Sequence, residues 1–402
     1  MDVLKTEVAV VGGGPAGLTA AIALALAGVE TALISKRPVR DDHRTTALLL
    51  GSVAALETLG VWSACAAQAA PLRRMRIVDD TGRLLRAPEI TFDAAEIGIE
   101  AFGYNLQNRD VLAALDNAAR LLGGSLNRID SAARAVTVGD AGVTIGLDNG
   151  NEVVARLAIG ADGRGSLCRA AAGIENDVRA YPQTALTFNL SHARPHFDIS
   201  TEFHTPQGPY TLVPLAGQRS SLVFVTDPAS AQSVAALDDA ALAQELERRS
   251  HSILGKLAPE PGRGVFPLTM ETARRFASSR VALIGEAAHV LPPIGAQGLN
   301  LGLRDAATIA EIAVDARRAG DDIGSASVLE RYDGLRRSDV TSRALAVDML
   351  NQTLLSDFLP LQGARQLSFL MLQNIGPLRR AVMREGVAPA LSQPRLMKGE
   401  AL

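Results

Sequence analysis

The sequence predicts an α/β fold in which a discontinuous parallel-sheet domain is interrupted by an antiparallel β-rich domain and followed by a C-terminal helical region. Three observations carry that prediction. Residues 7–27 run from a buried-strand pattern through a glycine-rich turn into an Ala/Leu helix. Residues 281–313 repeat the order of strand, tight loop and helix. Between about residues 180 and 270, alternating strands joined by short turns take over. At 402 residues the chain is also too long for one ordinary core. The parallel-sheet domain is assigned residues 1–72, 99–177 and 273–350, the inserted domain 73–98 and 178–272, and the helical region 351–402.

In chain order, Glu7–Val11 reads as a buried strand, followed at once by Gly12-Gly13-Gly14-Pro15-Ala16-Gly17 and a helix to about Ala27. This is a dinucleotide fingerprint opening a Rossmann-like unit. Gly12 permits the tight turn, Gly14 lets the backbone approach a pyrophosphate, and Gly17 allows the helix to pack closely on the strand. Pro15 and Ala16 join the expected cofactor contacts. The second strand, Glu30–Ile34, should end in an acid that holds an adenosine ribose. Ser35 stands there instead, with Lys36 and Arg37 behind it. A serine followed by basic residues can mark a 2′-phosphate, so this unit alone leaves NADP open beside FAD.

Arg44-Thr45-Thr46-Ala47-Leu48 leads into a helical pattern that reaches Leu59-Gly60-Val61-Trp62, and Tyr104 to Arg109 open a further helix through Leu112 and Leu115. A hairpin follows, Val143–Leu147 and Val153–Ile159 around Asp148-Asn149-Gly150. Its second strand runs into Gly160-Ala161-Asp162-Gly163, with Arg169 further on. A carboxylate at a strand end, between glycines and ahead of a helix, can hold a cofactor hydroxyl near a pyrophosphate or simply cap the helix. In the antiparallel region Leu186, Phe188, Leu190, Leu212 and Phe224 share an apolar face that could roof a pocket.

Val281–Ile284 is again a short buried strand, and from Leu299 apolar residues recur at helical spacing through Leu303, Ala306, Ala307, Ala310 and Ala313. The helix therefore begins at the glycines of the loop before it. Its first N–H groups lack intrahelical partners and, with the helix dipole, favour negative charge, such as the pyrimidine edge of a reduced flavin. The backbone from Gly298 through Leu299 to Asn300 is expected to stabilise that charge. Gly295 allows close approach, and Pro292 and Pro293 shape the wall of the active site.

The segment from Gly285 to Asn300 closely resembles the G-D-x-A-H-x-x-x-P-x-x-G-Q-G-x-N motif of class A FAD-dependent aromatic monooxygenases of the p-hydroxybenzoate hydroxylase-like fold, in particular the UbiH-type ubiquinone-biosynthesis hydroxylases. Two departures are visible. Glu286 stands where most relatives have the Asp that takes a ribityl hydroxyl of FAD, and Ala296 sits within the Gly-x-Gln-Gly loop without changing its spacing. The resemblance favours FAD as cofactor. It implies that Arg44 reaches flavin or pyrophosphate, that Gln107 and Arg109 touch FAD from the far side, that Asp162, Gly163, Glu286 and Gln297 are further contacts, and that Gly208–Leu215 borders the substrate. It also implies a cycle in which NAD(P)H reduces FAD, O2 adds to the reduced ring, and a flavin hydroperoxide hydroxylates an electron-rich aromatic ring.

From Leu354 to about Val387, apolar clusters alternate with Arg365, Arg379, Arg380 and Arg384. One amphipathic, basic helix there would suit either docking on the sheet domain or contact with an anionic membrane surface. The segment resembles the C-terminal region of UbiH-type enzymes, which implies a polyprenyl phenol substrate in ubiquinone biosynthesis. The expected setting is the cytoplasm, peripheral on the inner face of the membrane, in association with other proteins of that pathway. A net charge of −3 gives no footprint for nucleic acid. Cys65 and Cys168 lack metal-ligand spacing, as do His192, His196 and His204, so no metal is expected. Neither a signal peptide nor a membrane span is read. The rival readings are a class A hydroxylase of a soluble phenol or polyketide, a non-oxygenase flavin reductase, and a flavin-binding assembly subunit.

Overall fold

The computed structural model describes residues 2–36, 42–83, 86–293, 295–355, 359–387 and 393–402. Arg37 lies outside the described residues, and the side chain of Arg365 is likewise not described.

One sheet runs in the order Ala277–Ser278, Val281–Leu283, Glu152–Gly160, Val3–Val11, Thr31–Ile34, Leu126–Ile129. Val3–Val11 lies at its centre with parallel partners on both sides, Val8 opposite Thr31 on one and Leu157 on the other. Val8, Ala9 and Val10 are fully buried, which is why this strand reads as a continuous apolar run rather than an alternating one. The hairpin Val143–Leu147 extends the sheet beside Glu152–Gly160, with Ala133–Val138 outside it.

Helices α1 (Pro15–Leu26), α2 (Leu50–Thr58), α3 (Asn108–Leu121), α4 (Leu167–Ala171), α5 (Pro228–Ala235), α6 (Asp239–Arg249) and α7 (Gln297–Ala319) precede three more in the tail. Helices α1 and α7 pack together, and both bury most of their length in the core of the parallel sheet. Small residues make this approach possible: a Cβ on Gly302 of α7 would lie 3.5 Å from the Cβ of Ala16 in α1.

The second sheet is ordered His289–Val290, Gly264–Ala273, Asn176–His192, Arg219–Thr226, Gly208–Leu215, Ile199–Thr205, Arg74–Asp79, Ile90–Asp93. Its pairs are antiparallel except for Ile199–Thr205 with Arg74–Asp79. Of the apolar face expected to roof a pocket, only Phe188 borders the cavity, together with Leu222 of the same core. Leu186, Phe188, Leu190, Leu212 and Phe224 form a closed core with Ala231 and Val234 of α5 and Leu242 and Leu246 of α6. Two amphipathic helices that the alternation of the strands could not reveal cover that face, leaving the opposite one for the cavity.

Both helical patterns expected here are present, each preceded by a strand, and the second helix opens later than Tyr104. Thr45–Leu49 pairs antiparallel with Gly103–Gln107, which also pairs with Ala70–Pro71, and the helices begin only at Leu50 and Asn108. β-Branched Thr45 and Thr46 suit the strand. Gly103 lets the pair close, since a Cβ there would meet the Leu48 carbonyl oxygen at 2.1 Å.

The tail also differs from the single helix expected. Helix α8 (Ala326–Leu355) runs unbroken through position 350, and α9 (Leu359–Asn374) and α10 (Gly376–Val387) follow as separate pieces. Pro377, at the first turn of α10, has no N–H to continue α9. Helix α10 docks Met383 against Ala94 and Phe102. Among the described residues no helix is long and apolar enough to cross a membrane.

Candidate functional site

Three glycine loops meet at the C-terminal edge of the parallel strands, where open α/β sheets bind their ligands. Gly12 has φ +118°, and a Cβ on it would strike the Ala161 carbonyl oxygen at 2.1 Å. A Cβ on Gly17 would meet the Gly12 oxygen at 2.0 Å, so these two glycines are required by packing alone. The Ala161 N–H donates to Val11 (2.8 Å) and the Ile284 N–H to Gly160 (2.9 Å). Arg169 then ties the Asp162 loop to the 285–297 loop, donating to the Ala287 carbonyl at 2.8 Å and to the Arg164 carbonyl at 2.5 Å.

Two helices point free N-termini into this junction. Gly14 precedes α1 and Ala296 precedes α7; neither supplies a side-chain cap, and neither first turn holds an acid. Both ends are therefore available to an external anion. There is room for one, since a Cβ built on Gly14 or Gly298 would meet nothing within 4 Å. Helix α4 is different. Ser166 caps it, and both oxygens of Asp162 are engaged there, by Ser166 Oγ at 2.6 Å and the Cys168 N–H at 3.1 Å. Gly163, at φ +78°, turns the chain beside it.

The remaining predicted residues have specific partners. Ser35 packs on the fingerprint, its Oγ 2.0 Å from where a Gly13 Cβ would sit, while Lys36 reaches outward to Asp148 at 3.4 Å. Arg44 forms a two-pronged pair with Asp42, at 2.9 and 2.8 Å, and lies over the Phe266 ring, 5.9 Å from its centroid. Burial would lift the Asp42 carboxyl, but the Arg44 guanidinium outweighs it and holds it below the usual carboxylate range. Glu286 is half-exposed and 3.5 Å from Arg164. Gln107 is buried in the strand opposite Thr45, and Arg109 is exposed.

Asn300 is buried, and its amide is spent on the chain itself. Its Oδ1 accepts from the Leu49 N–H (2.9 Å) and Ser52 Oγ (2.7 Å), and its Nδ2 donates to the carbonyls of Ala47 (2.7 Å) and Ala296 (2.6 Å). All four bonds available to an amide are made, so only its backbone is left for a ligand.

A cavity of about 210 Å³ lies between this junction and the second sheet. Val290, Leu291, Pro292 and Pro293 form one wall; Arg44, Arg164 and Glu286 stand at its polar end. The facing wall is mainly the mixed side of the second sheet, with Ala185, Thr187, Asn189, Ser221 and Val223, joined by Phe188 and Leu222 and closed by Phe266 to Thr269. Gln107 and Arg109 do not line it. The sequence reading missed these sheet residues because it followed the more apolar face. It also missed a buried charge cluster behind the loop, in which Asp305 of α7 meets Gly285, His289 and Arg336. The available signal was an Asp at a position where the helical period demands a core residue.

The family model described as "FAD binding domain" matches residues 5–344. The chain is 34% identical over 406 aligned positions to ubiquinone hydroxylase UbiL of Rhodospirillum rubrum, covering 98% of this chain and 92% of the relative. It is 30% identical to 3-demethoxyubiquinol 3-hydroxylase of Escherichia coli, covering 94% and 97%. Among solved structures, p-nitrophenol 4-monooxygenase PnpA of Pseudomonas putida superposes with a TM-score of 0.76 at 22% identity, covering 96% and 98%. HpxO of Klebsiella pneumoniae, complexed with FAD and uric acid, gives 0.74 at 20%, covering 95% and 97%. These two likenesses concern the fold.

Proposed function

The chain belongs to the FAD binding domain family, and from that premise we propose that it is an FAD-dependent monooxygenase that hydroxylates the aromatic ring of a polyprenylated phenol in ubiquinone biosynthesis, with NAD(P)H and O2 as co-substrates. One observation carries the cofactor part: two uncapped, acid-free helix N-termini converge at glycines with open space before them. The residues fit the cofactor. Gly12, Gly14 and the first turn of α1 would hold a pyrophosphate, Ser35 an adenosine ribose, and Glu286 with Arg44 the groups between. The N–H groups from Gly298 to Asn300 would face the flavin's electron-rich edge. When bound, FAD supplies the redox and oxygen chemistry. This chain's own residues orient the ring, exclude water with Leu291, Pro292 and Pro293, and stabilise negative charge through the start of α7.

The substrate part rests on charge balance in the cavity and on the relatives' names. Arg44 is paired with Asp42, and Arg164 with Glu286, so a substrate carboxylate would compete with a carboxylate already present at either arginine. That favours a neutral, lipid-like phenol over an aromatic acid. The tail supports the same reading. Leu345 and Met349 of α8, Leu367 and Met371 of α9, and Leu378 and Val382 of α10 are exposed, beside Arg380 and Arg384. This face would touch the cytoplasmic side of the inner membrane, where such a phenol dissolves.

The test is mass spectrometry of lipid extracts from cells lacking the gene. A prenylated phenol short of one hydroxyl should accumulate while ubiquinone falls, and purified protein with FAD and NAD(P)H should convert it. Normal ubiquinone with no such intermediate would overturn the substrate assignment.

A further inference from the structure

We infer that Asp305 and Asp339 are positioning residues, which through His289 at one end and Gln297 at the other clamp the 285–297 loop into the shape that receives the flavin. The inference rests on the FAD reading of this site.

The geometry is a continuous chain of charge-assisted bonds behind the loop. Asp305, fully buried on α7, accepts at Oδ2 from the Gly285 N–H (3.0 Å) and from His289 Nε2 (2.6 Å), and at Oδ1 from Arg336 Nε (2.7 Å). An ionised carboxylate only accepts, so His289 carries its proton on Nε2 in this contact. Arg336, buried on α8, passes its second prong to Asp339 at 2.7 Å. Asp339 also takes Arg304 at 2.9 Å and Arg343 at 2.9 Å. Arg343 donates to Gln297 Oε1 at 3.1 Å, and Gln297 Nε2 donates to the Gly295 carbonyl at 2.9 Å. Thus Gly285 and Gly295, the two φ-positive glycines of the loop, are anchored to one buried cluster spanning two helices.

Stability alone is a poor reason for this cluster. Buried ion pairs lose most of their attraction to desolvation, and well-packed apolar residues would hold α7 to α8 as firmly. The cluster is not even fully satisfied: His289 Nδ1, Arg304 Nε and one terminal nitrogen of Arg336 are buried without hydrogen-bond partners. What the charges add is direction, since each bond fixes an orientation that apolar packing leaves free. The oriented element is the loop that bears Pro292 and Pro293 and leads into the free N-terminus of α7.

Arg343 is the place to test it. Arg343→Met removes the link to Gln297 while Arg304 and Arg336 still neutralise Asp339, so folding is spared. FAD affinity is measured by titrating apoprotein and following flavin fluorescence, with the absorption spectrum of the bound flavin as a second readout. Arg343→Met is expected to weaken FAD by roughly tenfold, to alter the bound-flavin spectrum, and to leave apoprotein melting within a few degrees. Gln297→Ala should do the same, and the double variant should lose no more than the worse single one. Asp305→Asn, which keeps the side-chain shape, should weaken FAD as well. Unchanged affinity and spectrum in Arg343→Met would overturn the inference, as would strictly additive losses in the double variant. If the wild-type chain itself takes up no FAD, it is the FAD reading that fails.

Discussion

At the residue scale, positions around the junction divide into those committed to the chain and those left open for a ligand. Asn300 shows the first case and Gly298 the second. Gly298→Val is therefore expected to fold normally, because its Cβ enters open space, yet to crowd whatever binds there. Loss of bound FAD and of hydroxylation with unchanged melting is the expected result; full FAD occupancy and activity would return the glycine to a purely helical role. The cysteines are committed as well. Burial, with a smaller contribution from Asp110, pushes the Cys65 thiol up to about 11, and burial raises that of Cys168 well above its ordinary value. At pH 8 the Cys65 thiol is then ionised to roughly one part in a thousand. Iodoacetamide should leave the native protein unmodified and label both cysteines after unfolding, as read by intact mass. Rapid labelling of the native protein would contradict the burial.

At the scale of elements, the start of α7 combines two demands on one position. Ala296 holds φ +54° so that the chain turns sharply into the helix, a conformation that costs a residue with a Cβ about 1 kcal/mol. Ala296→Gly is expected to raise the stability of the apoprotein by up to about that amount, measured by urea unfolding; a lower midpoint would mean the alanine methyl contributes packing that outweighs the strain. Elements were legible in the sequence wherever a local pattern decides them. The fingerprint strand and α1, the Val143–Leu147 hairpin and α7 follow from apolar period and glycine position. The strands Thr45–Leu49 and Gly103–Gln107 ahead of α2 and α3 were not, because a three-stranded pairing between distant segments leaves no local pattern. Likewise, which face of the second sheet meets the cavity depends on where α5 and α6 land, and no strand records that. The charge cluster around Asp305 was hidden for the same reason. Its members come from three segments, and only packing brings them within hydrogen-bond reach.

For the whole molecule, that cluster makes stability depend on pH. Burial would raise the Asp305 carboxyl, but His289 and Arg336 outweigh it, and Arg336 and Arg304 do the same at Asp339, so both sit below the ordinary carboxylate range. A carboxylate depressed in the folded state contributes stability above its unfolded pKa of about 3.9 and loses it as pH falls toward the folded value. Unfolding free energy should therefore drop between pH 5 and pH 3, and drop less steeply in Asp339→Asn; identical slopes would remove the cluster from the account. A final consequence follows from how the two large sheets are joined. Leu283 ends a strand of one and His289 begins a strand of the other, with only residues 284–288 between them, and His289 is itself locked to Asp305. So short and pinned a connection leaves no slack to absorb rotation of one sheet against the other. Occupancy at the cavity and at the helix ends is then expected to be linked: a cavity ligand that tightens the hold at the helix ends is itself held tighter by what binds there, and by the same factor.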